Sequence, residues 1–362
     1  MPNLTGNRGE WSEVYTFLRL LDIGKLYAAD ENLNRIPDVF YDVLKILRTE
    51  THDLEFRIDK DTESVCVYDC SIGQELLTLP CEQFKTEADK LFETIKQADT
   101  PAFEIPSAEE FINNIGVFSL KAKSSDKADI RIQIHDINTG FDAVQGFSIK
   151  SRLGSPSTLI NASSATNFVF EVCGPIDEGK AQYFNDNNKH FQESIKWLYD
   201  NGCQLKFTKV DNNVFNNNLM LIDSLLPAMI SSCLMSYYTS SKSSSNDILN
   251  IVTKQNPLEY DLSSHHPFYH YKFKKLLSEC ALGMIPSKVW NGYADATGGY
   301  IVVREDGEVL CYHLFNRNEF ENYLLNNTKF ETGSKKKHGF GNIYKDGERY
   351  YIKLNLQVRF IK

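Results

Sequence analysis

The stretch Ala128-Asp-Ile-Arg-Ile-Gln-Ile-His-Asp-Ile-Asn-Thr-Gly140, followed by Phe141-Asp-Ala-Val-Gln-Gly-Phe-Ser-Ile-Lys150, decides the fold of this chain. Isoleucine alternates with polar residues over residues 130–135, which predicts a strand with one buried face. Residues 136–140 have the composition of a turn. The ten residues that follow are predicted to form a second strand. The stretch therefore predicts a β-hairpin.

The predicted hairpin brings three reactive side chains to one end. If the turn is centred near Asn138, Asp129 lies nine positions before the centre and Ser148 lies ten after it. Antiparallel pairing makes these two residues near neighbours across the ladder. Ser148 and Lys150 are two positions apart and share a face of their strand. Whether Asp129 shares that face depends on the register of pairing, which the sequence leaves open.

A carboxylate, a hydroxyl and an amine at one end of a hairpin suit phosphodiester hydrolysis. A hard carboxylate oxygen can hold Mg²⁺ against the scissile phosphate. The metal would polarise the phosphoryl group and lower the pKa of an attacking water. Lys150 could orient that water and stabilise developing negative charge. The alternative is a surface hairpin that carries an ordinary Asp and an ordinary Lys.

Outward from the hairpin, the pattern predicts a mixed α/β core. Ser155 and Pro156 have the cap and first-position chemistry of a helix start. A third strand is predicted over residues 168–173, reached by a right-handed crossover. Helices are also predicted over residues 10–21, 81–97, 107–115, 189–199 and 218–238; the first of them follows Gly9 and is terminated by Gly24. Two further hairpins are predicted over residues 300–312 and 343–356.

The 362 residues are expected to form three regions. Residues 1–100 are expected to contain helices together with other structure and to contribute one helix to the active site. Residues 101–238 are expected to form the catalytic core. The β-rich residues 247–362 contact DNA, after a serine-rich linker over residues 239–246. One continuous, decorated domain is the alternative.

Composition places the chain among globular proteins. Hydrophobic residues make up 42%, enough for a sizeable core. We expect no secretory signal, no membrane-spanning segment and eight free cysteines in a reducing cytoplasm. The net charge of −9 neither favours nor excludes a nucleic-acid partner, because local patches decide.

The pair Asp129 and Ser148-Ile-Lys150 resembles the PD-(D/E)XK nuclease motif, in which a first Asp precedes an acid, any residue and Lys on the next strand. The sequence departs from the motif at Ala128, where Pro is common, and at Ser148, where the second acid is expected. Another carboxylate should therefore complete the metal site. The expected metal ligands are Asp129 and the backbone carbonyl of Ile149, completed by a further carboxylate. Glu13 is the first candidate for that carboxylate, Glu10 is the second, and Glu171 is an alternative.

A wider resemblance covers nearly the whole chain. The phrases Asn7-Arg-Gly-Glu-Trp-Ser-Glu-Val-Tyr15, Lys25-Leu-Tyr-Ala-Ala-Asp-Glu-Asn-Leu-Asn34, Gly146-Phe-Ser-Ile-Lys-Ser-Arg-Leu-Gly154 and Trp290-Asn-Gly-Tyr-Ala-Asp-Ala-Thr-Gly-Gly-Tyr300 resemble the HpaII-type restriction endonuclease family. The resemblance implies a Mg²⁺-dependent type II enzyme that cleaves double-stranded DNA at a short palindrome, with CCGG as the expected site. A homodimer on DNA is one option for its assembly.

Several side chains are candidates for contact with DNA. Arg152 could bind phosphate or guanine, and the predicted helix start at Ser155 and Ser157 would offer a phosphate site. Asn161 and Asn167 could pair with base edges. A basic loop is expected to bind phosphate, and it comprises Lys335, Lys336, Lys337 and His338.

Two other functions remain open. A non-catalytic DNA-binding protein on a decayed nuclease fold would explain Ser148 in place of an acid, although Asp129 and Lys150 are both retained. A repair or junction nuclease is the third option.

Overall fold

A computed structural model describes residues 3–121, 128–136 and 140–361 of the chain. The protein is a mixed α/β structure, as the sequence predicted. The strands are β1 (Thr5–Gly6), β2 (Lys25–Ala29), β3 (Arg35–Thr49), β4 (Asp53–Asp59), β5 (Ser64–Asp69), β6 (Gln74–Pro80), β7 (Phe103–Glu104), β8 (Ile130–Asp136), β9 (Phe141–Ser151), β10 (Thr158–Ile160), β11 (Asn167–Cys173), β12 (Gln204–Val210), β13 (Gly299–Val303), β14 (Val309–His313), β15 (Thr328–Phe330), β16 (Ile343–Asp346), β17 (Arg349–Asn355) and β18 (Val358–Phe360).

The helices alternate with these strands along the chain. They are α1 (Arg8–Ile23), α2 (Cys81–Gln97), α3 (Pro106–Asn114), α4 (Glu178–Asn187), α5 (Phe191–Asp200), α6 (Asn213–Ile222), α7 (Leu226–Thr239), α8 (Ser245–Gln255), α9 (Phe268–Leu282), α10 (Arg317–Asn326) and α11 (Lys335–His338), with short 3₁₀ turns at Ser164–Thr166 and Leu314–Asn316. The chain divides into two compact units, Met1–Ser157 with Ala294–Tyr323, and Thr158–Tyr293 with Leu324–Lys362.

The first unit is built on a nine-stranded sheet with the order β2-β14-β13-β9-β8-β3-β4-β5-β6. The predicted hairpin lies at its centre, because β8 and β9 pair antiparallel with Ile130 opposite Phe147. Asp129 directly precedes β8 and its N–H donates to the Phe147 carbonyl at 2.9 Å, so Asp129 and Ser148 are neighbours, as predicted. The three central turn residues, 137–139, lie outside the described residues.

Helix α1 packs on one face of this sheet. Asn7 caps its first turn and Glu10 reaches back to the Asn7 backbone, while Gly24 ends it in a left-handed conformation at φ 63°. The predicted helix is therefore confirmed, but it begins at Arg8, so Gly9 lies inside it. Its buried side chains, which include Trp11, join a core with the alternating isoleucines of β8.

The predicted helix start at Ser155 is wrong. Ser155 lies in a bend, and the chain then enters β10, which pairs antiparallel with β18. The third predicted strand exists as β11, but it lies in the sheet β12-β11-β17-β16 of the second unit. The parallel neighbour of β9 is instead β13. A Ser-Pro pair suits a bend as well as a helix start. In both, the proline ring fixes the φ angle and the serine hydroxyl can hydrogen-bond the nearby backbone.

The second unit combines the sheet β12-β11-β17-β16 with the sheet β10-β18-β15 and a group of helices.

Residues 239–246 are not a linker between units: Ser245 is buried, begins α8 and hydrogen-bonds Thr328 at 2.8 Å. The observed divisions differ from the three expected regions, because strand pairing over long separations brings residues 294–323 into the first unit.

Other predicted elements match closely. Helix α2 has the predicted bounds, and the hairpins β13–β14 and β16–β17 are present. The helix predicted over residues 218–238 is two helices, α6 and α7. Among the described residues no single helix has the length and apolar composition to cross a membrane; α6 and α7 reach them only together, with a bend of 105° between them.

Candidate active site

One end of the central hairpin holds a chain of hydrogen bonds among the three predicted residues. Ser148 Oγ donates to Asp129 Oδ2 at 3.1 Å, and Lys150 Nζ donates to Ser148 Oγ at 3.3 Å. The backbone N–H of Ile149 donates to the same Asp129 oxygen at 2.6 Å. The register that the sequence left open therefore brings all three side chains together.

Glu13 joins this group from α1. Burial and then the negative charge of Asp129 raise the pKa of Glu13 to about 8, against the opposite effect of the positive charges of Lys121 and Lys150. The effect of the Asp129 charge on Glu13 indicates that the two carboxyl groups lie in one electrostatic environment. Two carboxylates held together in this way create a site for a cation.

Buried contacts fix the start of α1 against the end of β9. Ser12 is fully buried, and its hydroxyl donates to Ser151 Oγ at 2.8 Å and to the Arg8 carbonyl at 2.6 Å. The Arg8 guanidinium donates to the carbonyls of Leu153, at 2.8 Å, and Ala98. These contacts set the position of Glu13 relative to Lys150.

Glu10 has a different role from Glu13. One of its oxygens accepts from the Asn7 backbone at 2.7 Å and the other pairs with Lys121 at 2.6 Å. Burial alone would raise the pKa of Glu10, but the hydrogen bonds from Lys121 and Asn7 hold it below its ordinary value. Both oxygens of Glu10 are thus committed to the helix cap and to Lys121.

Lys121 is a site residue that the sequence analysis missed. Its ammonium group lies near the carboxylates of Glu13 and Asp129 as well as that of Glu10. No periodic pattern surrounds it in the sequence, so no local signal identified it.

Glu171 lies elsewhere. It is on β11 in the second unit, where it pairs with Arg349 at 3.2 Å. None of the contacts among the described residues joins Glu171 to Asp129. Pairing, rather than metal binding, accounts for this half-buried carboxylate.

A cleft of about 700 Å³ opens at the site, a volume within the usual range for ligand sites. It is lined by residues from α1, the end of β9 and the two segments that flank them, namely Asn7, Arg8, Gly9, Glu10, Glu13, Ala98, Asp99, Thr100, Pro101, Lys121, Ile149, Lys150, Ser151, Gly154, Ser155 and Ser157. The predicted residues Ser155 and Ser157 therefore share a cleft with Lys150, although not at a helix start.

The donor set fits a divalent cation of the hard type. Among the described residues no group of three or more acidic, histidine or cysteine side chains forms a metal cluster. The carboxylates of Asp129 and Glu13 share one electrostatic environment, and the Ser148 hydroxyl is a further oxygen beside Asp129. Two carboxylates with neutral oxygens suit an ion whose remaining ligands are substrate oxygens and water.

The other predicted DNA contacts differ in accessibility. Arg152 follows β9 and is half-buried, and Asn161 is exposed. Asn167 is buried and donates to the His338 carbonyl at 2.9 Å, so its amide is committed to the protein.

The predicted basic loop is the short helix α11. Lys336 and Lys337 are exposed on it and His338 is half-buried. Lys335 instead donates to the side-chain oxygen of Asn188 at 2.7 Å and to the Asn188 carbonyl.

Comparison with known proteins agrees with the resemblance seen in the sequence. The model of the HpaII restriction endonuclease family matches residues 7–360. The type II restriction enzyme HpaII of Haemophilus parainfluenzae is 43% identical over 359 residues, which cover 99% of each chain. No solved structure is significantly similar to this protein. The chain therefore belongs to the HpaII restriction endonuclease family and is a type II restriction endonuclease.

Proposed function

We propose that this endonuclease hydrolyses phosphodiester bonds of double-stranded DNA at CCGG with Mg²⁺, at the site formed by Asp129, Ser148, Lys150 and Glu13. The observation that carries the proposal is the hydrogen-bonded chain from Lys150 through Ser148 to Asp129, with Glu13 in the same electrostatic environment. The CCGG site is the one that the family resemblance implies.

Asp129 and Glu13 would hold the cation, with the Ile149 carbonyl as a further ligand. When bound, a divalent cation polarises the phosphoryl group and makes a water molecule more nucleophilic. The Ile149 N–H and the Ser148 hydroxyl both donate to Asp129 Oδ2, and the other oxygen of this carboxylate would bind the metal.

Lys150 would act on the phosphate and on the attacking water. Its ammonium group donates to Ser148 at 3.3 Å and lines the cleft, so it can also donate to a phosphate oxygen placed there. A fixed positive charge at that position stabilises the charge that develops in the transition state.

We propose that the first unit has a PD-(D/E)XK-like core. The arrangement of Asp129 and Lys150 on adjacent antiparallel strands, with a Glu supplied by the first helix, supports this assignment. Ser148 occupies the position of the second acid, and Glu13 takes over its charge. Glu10 would support the site through Lys121 rather than bind metal directly.

Each unit carries side chains that we propose contact DNA. Within the first unit these are Arg152, Ser155 and Ser157; within the second they are Asn161, Lys336, Lys337 and His338. Lys335 would support the last three by anchoring α11 to Asn188. Because a palindrome has two-fold symmetry, two copies acting on one site suit the substrate. All eight cysteines are free thiols, which suits a cytoplasmic enzyme.

Cleavage of DNA of known sequence tests this function. Purified protein is incubated with plasmid in Mg²⁺ or in EDTA, and the ends are read by run-off sequencing. Discrete fragments ending at CCGG in Mg²⁺ alone are expected. Fragments that end at another sequence would contradict the CCGG assignment. Intact plasmid with a gel shift would mean a DNA-binding protein without catalysis, and preference for branched DNA would mean a junction nuclease.

A further inference from the structure

Tyr300 lies beneath the site on the strand next to Lys150. Strands β13 and β9 run parallel, with Tyr300 opposite Ser148 and Val302 opposite Lys150. Tyr300 is fully buried, and Lys150 Nζ lies 5.7 Å from the centroid of its ring. That distance is within the range of a cation–π contact. The ring is therefore one wall of the environment of the Lys150 ammonium group.

Other aromatic side chains hold the ring of Tyr300 in place. The ring of Phe320 lies 5.4 Å from it, and Tyr312 is its partner across the β13–β14 ladder. Tyr312 is fixed in turn by its hydroxyl, which donates to the Asp30 carbonyl at 2.6 Å. A ring packed in this way cannot move aside without disrupting its neighbours.

Two glycines before Tyr300 allow the chain to approach both neighbouring strands, β9 at Gly298 and β14 at Gly299. A Cβ on Gly298 would lie 2.6 Å from the ring of Phe147. Gly299 has φ +115°, and a Cβ there would lie 2.1 Å from the Tyr312 carbonyl oxygen. The sequence Gly-Gly-Tyr thus places the Tyr300 ring at its position beside Ser148.

We propose that Tyr300 is a positioning residue for the cleavage reaction: its ring holds the Lys150 ammonium group beside Ser148. This inference rests on the proposed role of Lys150. A lysine side chain is flexible, and its ammonium group loses catalytic effect when it samples other positions. Ser148 holds the ammonium group from one side through a hydrogen bond, and the Tyr300 ring bounds it on another.

Single-turnover cleavage by three variants tests the proposal. Tyr300→Leu keeps an apolar side chain but removes the ring, and it should slow cleavage by about tenfold, the loss of a desolvated cation–π contact. Tyr300→Phe keeps the ring and should retain at least about half of the rate. Phe84→Leu is the matched control, since it removes an equally buried ring of the same unit that packs against Phe111 at 5.6 Å and not in the cluster around Tyr300. Affinity for cognate DNA without metal should be unchanged in Tyr300→Leu.

The outcomes separate this inference from the proposed function. It is overturned if Tyr300→Leu cleaves at the wild-type rate, if Tyr300→Phe is as slow as Tyr300→Leu, or if Phe84→Leu slows cleavage equally. A tenfold loss in Tyr300→Leu alone supports it. Lys150→Ala is measured beside them: full activity in that variant would overturn the proposed function, whereas an inactive Lys150→Ala with a fully active Tyr300→Leu overturns only the role of Tyr300.

Discussion

Ser148 on β9 holds Asp129 at the point where β8 begins: its hydroxyl donates a 3.1 Å hydrogen bond to the Asp129 carboxylate. A hydroxyl at this position supplies a donor where an acid would supply a second negative charge. It therefore orients Asp129 instead of repelling it. In the proposed site the second charge comes from Glu13 on α1, whose pKa is raised in part by the charge of Asp129.

Glu13 should matter more to cleavage than Ser148. Ser148→Ala removes one hydrogen bond to Asp129 and should slow cleavage by about tenfold or less. Glu13→Gln removes a charged ligand of a hard cation and should slow it by more than about a hundredfold at limiting Mg²⁺. Single-turnover rates across a Mg²⁺ titration measure both.

Glu10→Gln is the matched control for this comparison, because Glu10 lies one turn before Glu13 on the same helix. Glutamine can still accept the hydrogen bond of the helix cap, so cleavage should fall by less than about fivefold. If Glu10→Gln is slowed as much as Glu13→Gln, the assignment of the second ligand moves to Glu10.

Glu13 should also make the metal-free protein less stable as pH rises. Its pKa is about 8 in the folded state against an ordinary value of 4.5, so the folded state binds the extra proton between these values. The free energy of unfolding should therefore fall as pH rises through this window. Glu13→Gln should be more stable than wild type at pH about 8.5, by about 1–3 kcal/mol, and the difference should vanish near pH about 4.

Urea unfolding in EDTA at several pH values measures this difference. A constant difference between Glu13→Gln and wild type across the pH range would mean that Glu13 does not titrate in the window. Added Ca²⁺ should stabilise wild type more than the variant, because a ligand that binds the folded state raises its stability.

Lys335 should affect the stability of the protein, whereas its neighbours Lys336 and Lys337 on α11 should affect its affinity for DNA. The double change Lys336→Ala and Lys337→Ala should shallow the salt dependence of DNA affinity by about two units of slope, for cognate and random DNA alike. Lys335→Ala should instead lower the melting temperature, because the side-chain oxygen of Asn188 loses the hydrogen bond from Lys335. Salt titrations and thermal melts distinguish the two effects. An unchanged slope in the double variant would show that these lysines do not contact DNA.

Gly299→Ala should destabilise the first unit. Gly299 has φ +115°, and the Cβ of an alanine there would lie 2.1 Å from the carbonyl oxygen of Tyr312. The free energy of unfolding should therefore fall by more than about 2 kcal/mol. Gly140→Ala is the control, since Gly140 has φ +65° but nothing within 4 Å of a Cβ, and its cost should be about 1 kcal/mol. Urea unfolding measures both, and equal costs would contradict the close approach of β13 and β14.

Local sequence patterns predicted the hairpin and helix α1, because alternation and caps are properties of neighbouring residues, but they left the register of the hairpin open. They did not predict β13 as the parallel partner of β9, since that pairing depends on residues far apart in the chain. The helix start predicted at Ser155 was wrong because the residue types that cap a helix also occur in bends. Lys121 reaches the site only through its tertiary contact with Glu10, and Arg349 pairs with Glu171 in the same way.

The most direct test of the proposed active site is single-turnover cleavage of a CCGG duplex by Asp129→Asn and Lys150→Ala, with binding measured in parallel without metal. Both substitutions preserve the strand pairing of the hairpin. The account predicts that each variant loses at least about a thousandfold in cleavage rate, the scale of a lost catalytic group, while affinity for the duplex stays within a few-fold of wild type. Cleavage by either variant within about tenfold of the wild-type rate would contradict the assignment of the active site to this end of the hairpin.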